Sequence, residues 1–170
     1  TYDREIGILV HTWLAHIGDQ GVDFWSAQAV ISKSSLIHRQ LTQAGLPTAQ
    51  AELAVIEVVE TLVAMLTHER GRWLLSQPQS YREWALMDAT GKVSVIDLAL
   101  ADEQGWLVVD YKTGRPADDE TSVNFSQRML ERYAPQLERY CQQLTDLDGR
   151  TARAALYFPR DDLWIEADPD

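Results

Sequence analysis

Val93-Ser94-Val95-Ile96-Asp97-Leu98-Ala99-Leu100, then Asp102-Glu103-Gln104-Gly105, then Trp106-Leu107-Val108-Val109-Asp110-Tyr111-Lys112: this stretch decides how the chain folds. Its first part alternates and is rich in β-branched residues, its middle is a turn, and its last part is the strongest strand signal in the chain. Two strands joined by so tight a turn pair with each other, and Asp97 and Asp110 then fall at neighbouring strand ends. Asp110 and Lys112 are two residues apart, so their side chains leave the same face of the strand. That crowding reads in two ways. As a hairpin surface, Asp110 and Lys112 form an ordinary ion pair of little energetic value. As a site, two carboxylates hold a hard cation such as Mg²⁺ or Mn²⁺ through oxygen. The cation polarises a phosphodiester and acidifies its bound water, and the ammonium orients that water or steadies developing negative charge.

Outward from this hairpin, Ser80 to Met87 reads as a further strand, joined to it through the turn Asp88-Ala89-Thr90-Gly91. Beyond Lys112, a polar loop from Gly114 to Thr121 precedes a helix over Ser122 to Leu144, in which Pro135 predicts a kink or break. Thr151 to Phe158 and Leu163 to Glu166 close the chain as strands. The N-terminal half is helical in pattern. Ile6, Leu9, Val10, Trp13, Leu14 and Ile17 keep helical spacing, with Gly18 as the stop. Phe24 to Ala44 reads as one helix ended by Gly45 and Pro47. Thr48 to His68 is a third helix, with Leu53, Ile56, Val59, Leu62, Val63 and Leu66 as its apolar stripe. The character changes near Gln77-Pro78, which makes residues 1–76 a mainly helical part and 77–170 a sheet core within one domain. Helices, a three-strand meander, a helix and more β describe an α/β or α+β core rather than a repeating βαβ barrel.

The bulk numbers bound the function. A chain of 170 residues, 45% hydrophobic and 24% charged, suits one compact core. No apolar run is long enough to span a bilayer, and Thr1-Tyr2-Asp3-Arg4-Glu5 lacks the layout of a signal peptide. The chain opens without Met, so a piece of a longer protein is expected. Cys141 is the single cysteine, which excludes an internal disulfide and a cysteine-held zinc or iron–sulfur cluster, and makes the cytoplasm the natural compartment. Cys141 itself reads as a small, half-buried helix residue. The net charge of -11 argues against autonomous nucleic-acid binding, which needs Lys and Arg for phosphate. Any such role must rest on local charge, on metal ions or on a basic partner.

The ordered landmarks resemble the PD-(D/E)xK nuclease superfamily, in the form used by the RecB and AddA families of bacterial helicase–nucleases. Gly7-Ile8-Leu9-Val10-His11 matches a Gly-x-x-x-His helix, and Glu83 stands on the strand before the first Asp. Asp97 and Asp110-Tyr111-Lys112-Thr113-Gly114 match the central motif, and Gln136-Leu137-Glu138-Arg139-Tyr140 matches Gln-x-x-x-Tyr. The resemblance covers nearly the whole chain and implies a restriction-endonuclease-like core, a mixed central sheet flanked by helices, with a helical N-terminal part. It implies His11, Asp97, Asp110 and the Tyr111 carbonyl as metal ligands and Lys112 as the catalytic ammonium. Gln136 and Tyr140 would position DNA or support the site. Glu83 would back the site or is simply an exposed strand charge. Two departures stand out: the family's Gly shortly before the first Asp is Ser94 here, and the four-cysteine cluster of some relatives is absent.

The resemblance further implies a Mg²⁺- or Mn²⁺-dependent DNase acting on DNA in double-strand-break repair and recombination. Its expected partners are a helicase domain in the same chain and a second helicase–nuclease subunit. Two other readings stay open: a catalytically silent nuclease-fold module for DNA clamping or subunit docking, and a free-standing exonuclease. His16, His38 and His68 match no motif and read as surface or core residues, and the six Trp read as core or partly core residues. Arg115, Arg128, Arg132 and Arg139 are either solvated charges or a local phosphate-binding patch. Asp118-Asp119-Glu120 reads as a solvent-facing acidic run.

Overall fold

A computed structural model describes residues 1–167. Contacts divide the chain into two units, Thr1–Gln77 with Pro159–Asp162, and Pro78–Phe158 with the segment that begins at Leu163.

The first unit is helical: α1 (Tyr2–Gln20), α2 (Ala27–Ile31), α3 (Ser34–Gln43), α4 (Thr48–Thr67) and α5 (Glu69–Leu75). Helix α1 passes through Gly18 and ends at Gly21, whose φ of 104° suits a residue without Cβ. The single helix expected over Phe24–Ala44 is two helices. Ser26 caps α2 by accepting the Ala29 N–H, and the Ser32 and Ser34 hydroxyls donate to the Ala29 and Ile31 carbonyls around the break. Short polar side chains there offer the backbone partners that compete with a continuous helix.

Helix α4 packs against α1, α2, α3 and α5 with a face that keeps Leu62 and Leu66 of the expected stripe but not Leu53 and Ile56. Ala51, Ala54, Val58, Thr61, Leu62, Met65 and Leu66 are buried, while Leu53 and Ile56 are exposed. Small residues turned inward let neighbouring helices approach closely, and the buried Thr61 hydroxyl donates to the Glu57 carbonyl at 2.7 Å. Helix α5 had no counterpart in the sequence reading.

The second unit is a five-stranded mixed sheet in the order β1-β2-β3-β4-β5: β1 (Ser80–Met87), β2 (Val93–Asp102), β3 (Gly105–Tyr111), β4 (Ala152–Phe158) and β5 (Leu163–Glu166). All neighbours are antiparallel except β3 and β4, which the long helix α6 (Ser122–Asp148) connects as a crossover. Helix α6 continues through Pro135, so the expected break does not occur. Phe125, Met129, Leu137, Tyr140 and Leu144 of α6 pack on Ile96, Ala99, Trp106, Val108, Leu156 and Phe158 of the sheet. The β2–β3 turn depends on Gly105: φ is 109°, and a Cβ there would lie 2.3 Å from the Thr151 carbonyl oxygen. That same oxygen accepts the Trp106 N–H at 2.8 Å, where β3 and β4 begin to pair.

Candidate active site

Strand register assembles the acidic groups. In the β1–β2 ladder Arg82 is opposite Leu98 and Trp84 is opposite Ile96, which sets Glu83 level with Asp97. The β2–β3 ladder ends at Leu98 opposite Val109, so the next step sets Asp97 level with Asp110. Glu83, Asp97 and Asp110 therefore form one row across three neighbouring strands. The row begins where regular pairing stops. Glu83 is skipped in the ladder and has φ 49°, a left-handed conformation unusual for a residue with a side chain. Such strain persists where surrounding structure enforces it, commonly at functional sites.

The Asp97 carboxylate is held by the strand beside it, its Oδ2 accepting the Tyr111 backbone N–H at 2.9 Å. Asp97 is 7% and Asp110 3% exposed, and each carboxyl lies within the electrostatic reach of the other. Burial first, then the charge of Asp110, push the Asp97 carboxyl well above the ordinary carboxylate range, and Glu83 adds to the rise. Burial also raises the Tyr111 phenol.

Lys112 follows β3, on the same side as Asp110. Its ammonium lies 2.8 Å from Asp110 Oδ2, a contact of ion-pair length whose angles do not make it a hydrogen bond. It donates weakly to Gln136 Oε1 at 3.5 Å and stands 3.8 Å from the centre of the Tyr133 ring. Gln136 and Tyr140 are one helical turn apart on α6 and face the same way. The Tyr140 hydroxyl is pushed up to about 12 by burial, then by Asp110 and Asp97, with a hydrogen bond to Gln136 acting in the opposite sense.

The sheet unit thus brings together Glu83, Asp97, Asp110, Tyr111, Lys112, Gln136 and Tyr140. His11 lies in α1 of the helical unit, half-buried. The sequence reading missed Tyr133, although its spacing of three from Gln136 and seven from Tyr140 marks the same helical face. It also missed the kink at Glu83, which no local residue signals. Arg128 is not an open phosphate ligand: it is paired with Glu120 at 2.8 Å, which holds that carboxyl down at about 2 and corrects the view of Glu120 as a solvent charge. Cys141 is half-buried as expected. Among the described residues no helix is long and apolar enough to cross a membrane.

The donor set fits a hard divalent cation. Two nearly buried carboxylates side by side, with a third level with them, repel one another unless a proton or cation lies between them. Burial first, and then the charge of Asp110, disfavour the ionised Asp97 carboxyl in the absence of a cation. All the carboxylate donors are oxygens, which suits Mg²⁺ or Mn²⁺ and not a soft metal.

A family model for the PD-(D/E)XK nuclease superfamily matches residues 1–166. The chain belongs to the PD-(D/E)XK nuclease superfamily. Its mixed five-stranded sheet with helices is consistent with the restriction-endonuclease-like fold of that superfamily. No curated protein matches the chain.

Proposed function

We propose that this PD-(D/E)XK domain is a Mg²⁺- or Mn²⁺-dependent DNase that cleaves phosphodiester bonds with Asp97, Asp110 and Lys112. The observation that carries this reading is the row of carboxylates closed by the Lys112 ammonium, 2.8 Å from Asp110. Asp97 and Asp110 would hold the cation, joined by the Tyr111 carbonyl. When bound, the cation would supply Lewis-acid polarisation of the phosphate and acidify a water. Lys112 would stabilise the charge that develops on phosphate oxygens; its ammonium is seated between Asp110, Gln136 and the Tyr133 ring. Gln136 and Tyr140 would fix the ammonium and the substrate strand from the α6 side. Glu83, level with Asp97, would orient water at the open end of the row.

The finer setting proposed is a RecB- or AddA-like helicase–nuclease acting in double-strand-break repair, in the cytoplasm. A motor domain or a second subunit would deliver the strand. Support comes from the ordered motifs His11, Asp97, Asp110-Tyr111-Lys112 and Gln136–Tyr140, and from the net charge of -11, which suits delivered rather than captured DNA. The test is cleavage of a labelled oligonucleotide with Mg²⁺, Mn²⁺ or EDTA. Cutting should require the metal and vanish in Asp110→Ala while the circular dichroism spectrum is unchanged. A folded wild-type protein that binds DNA and never cuts it would point instead to a silent clamping or docking module.

A further inference from the structure

We infer that Tyr81 and Trp84 form a stacking site for a base of the substrate strand, immediately beside the carboxylate row; this rests on the nuclease reading above. On a regular strand, residues three apart point to opposite faces. Here the Tyr81 and Trp84 rings lie parallel, 4.2 Å between centres and 17° between planes. The stacked rings share one side of the strand, and left-handed Glu83 stands between them in the chain. The carboxylate that the register sets level with Asp97 is thus flanked in sequence by the two members of an aromatic pair.

The pair is anchored from below and open above. Trp84 and Tyr81 lean on Trp106 at 5.7 and 6.0 Å, and Trp106 is buried, with its indole N–H bonded to Asp148 at 3.0 Å and the Arg150 guanidinium 4.5 Å from its ring centre. Tyr81 is 49% exposed. A packed platform with an exposed outer ring is what holds bases of a single strand without regard to sequence. Tyr81 is two residues from Glu83 on β1, roughly 6–7 Å along the strand, which is about the span of one nucleotide. The occupant is a nucleobase of an unpaired strand, since a base inside a duplex has no free face to offer.

The test compares wild type, Tyr81→Leu and Tyr81→Phe with a dye-labelled twelve-residue oligothymidylate and a set of versions carrying one abasic residue at successive positions. Affinity is read by anisotropy with Ca²⁺ in place of Mg²⁺, and KM and kcat for cutting with Mg²⁺. Wild type should lose roughly ten-fold in affinity at one abasic position, the magnitude of one base stack. Tyr81→Leu should lose as much on the intact strand, be indifferent to that abasic position, and change KM with little change in kcat. Tyr81→Phe should restore wild-type behaviour. Equal abasic sensitivity in wild type and Tyr81→Leu would overturn the stacking site, as would absence of any strand binding. Stacking-dependent binding with no cutting would instead overturn the hydrolytic reading and leave the stacking site standing.

Discussion

Asp97 shows at the scale of one residue how a buried pair of carboxyls works against the fold that carries it. Its carboxyl is buried beside Asp110 and raised well above the ordinary value, so in the metal-free protein the folded state binds a proton that the unfolded state gives up. As pH rises from about 4, the unfolded chain ionises Asp97 first, and stability falls until pH passes the raised folded value. Metal-free protein should therefore lose stability across that window in urea titrations, and Asp97→Asn should flatten the dependence. A metal-free protein whose stability rises steadily over the same range would contradict the pairing of these carboxyls. Gly105 is the other residue with a sharp consequence. Its φ of 109° and the 2.3 Å approach to the Thr151 carbonyl predict that Gly105→Ala costs about 2–4 kcal/mol. Equilibrium unfolding checks this, and a loss under about 0.5 kcal/mol would mean the turn is more pliable than described.

At the scale of elements, α6 does two jobs that the sequence shows unequally. Its core face was legible as a helical period, and Gln136 and Tyr140 were legible as a pair one turn apart. Pro135 does not end α6. It removes one backbone donor inside the helix, yet packing of Phe125, Met129, Leu137 and Leu144 on the sheet carries α6 through it. Pro135→Ala should accordingly raise stability by about 1–3 kcal/mol in urea unfolding, the helix gaining a bond it lacks; a destabilised variant would show that Pro135 shapes α6 rather than being tolerated by it. The meander β1–β3 was almost fully legible because alternation and turn residues are local signals. The phase of α4 was not, since its buried face is set by how closely neighbouring helices approach Ala51 and Ala54, and hydrophobicity alone favours Leu53 and Ile56. The left-handed conformation of Glu83 was equally hidden, because no residue type around it calls for one.

For the whole molecule, the acidic surface sets how the site meets its substrate. With a net charge of -11, few phosphates can be neutralised by this chain alone. Affinity for a single strand should then fall by about ten-fold or less between 50 and 200 mM salt, against the ~10³ or more of a protein making six to ten phosphate contacts. A steep slope in anisotropy titrations would point to a basic surface not described here. The superfamily fold was legible from ordered motifs, each weak alone. Their order along the chain carried the information, because strand register converts it into the row Glu83, Asp97, Asp110.

Manganese binding tests that row most directly. Titration of Mn²⁺ followed by loss of the free-ion electron paramagnetic resonance signal should show a site in the wild-type protein. Asp110→Asn should weaken that site by 10- to 100-fold or more, on the order expected for groups around a metal. Lys112→Ala should keep the metal while losing roughly 10²–10³ of the cutting rate. DNA cleavage by a protein that binds no Mn²⁺, or unchanged Mn²⁺ binding in Asp110→Asn, would contradict the account.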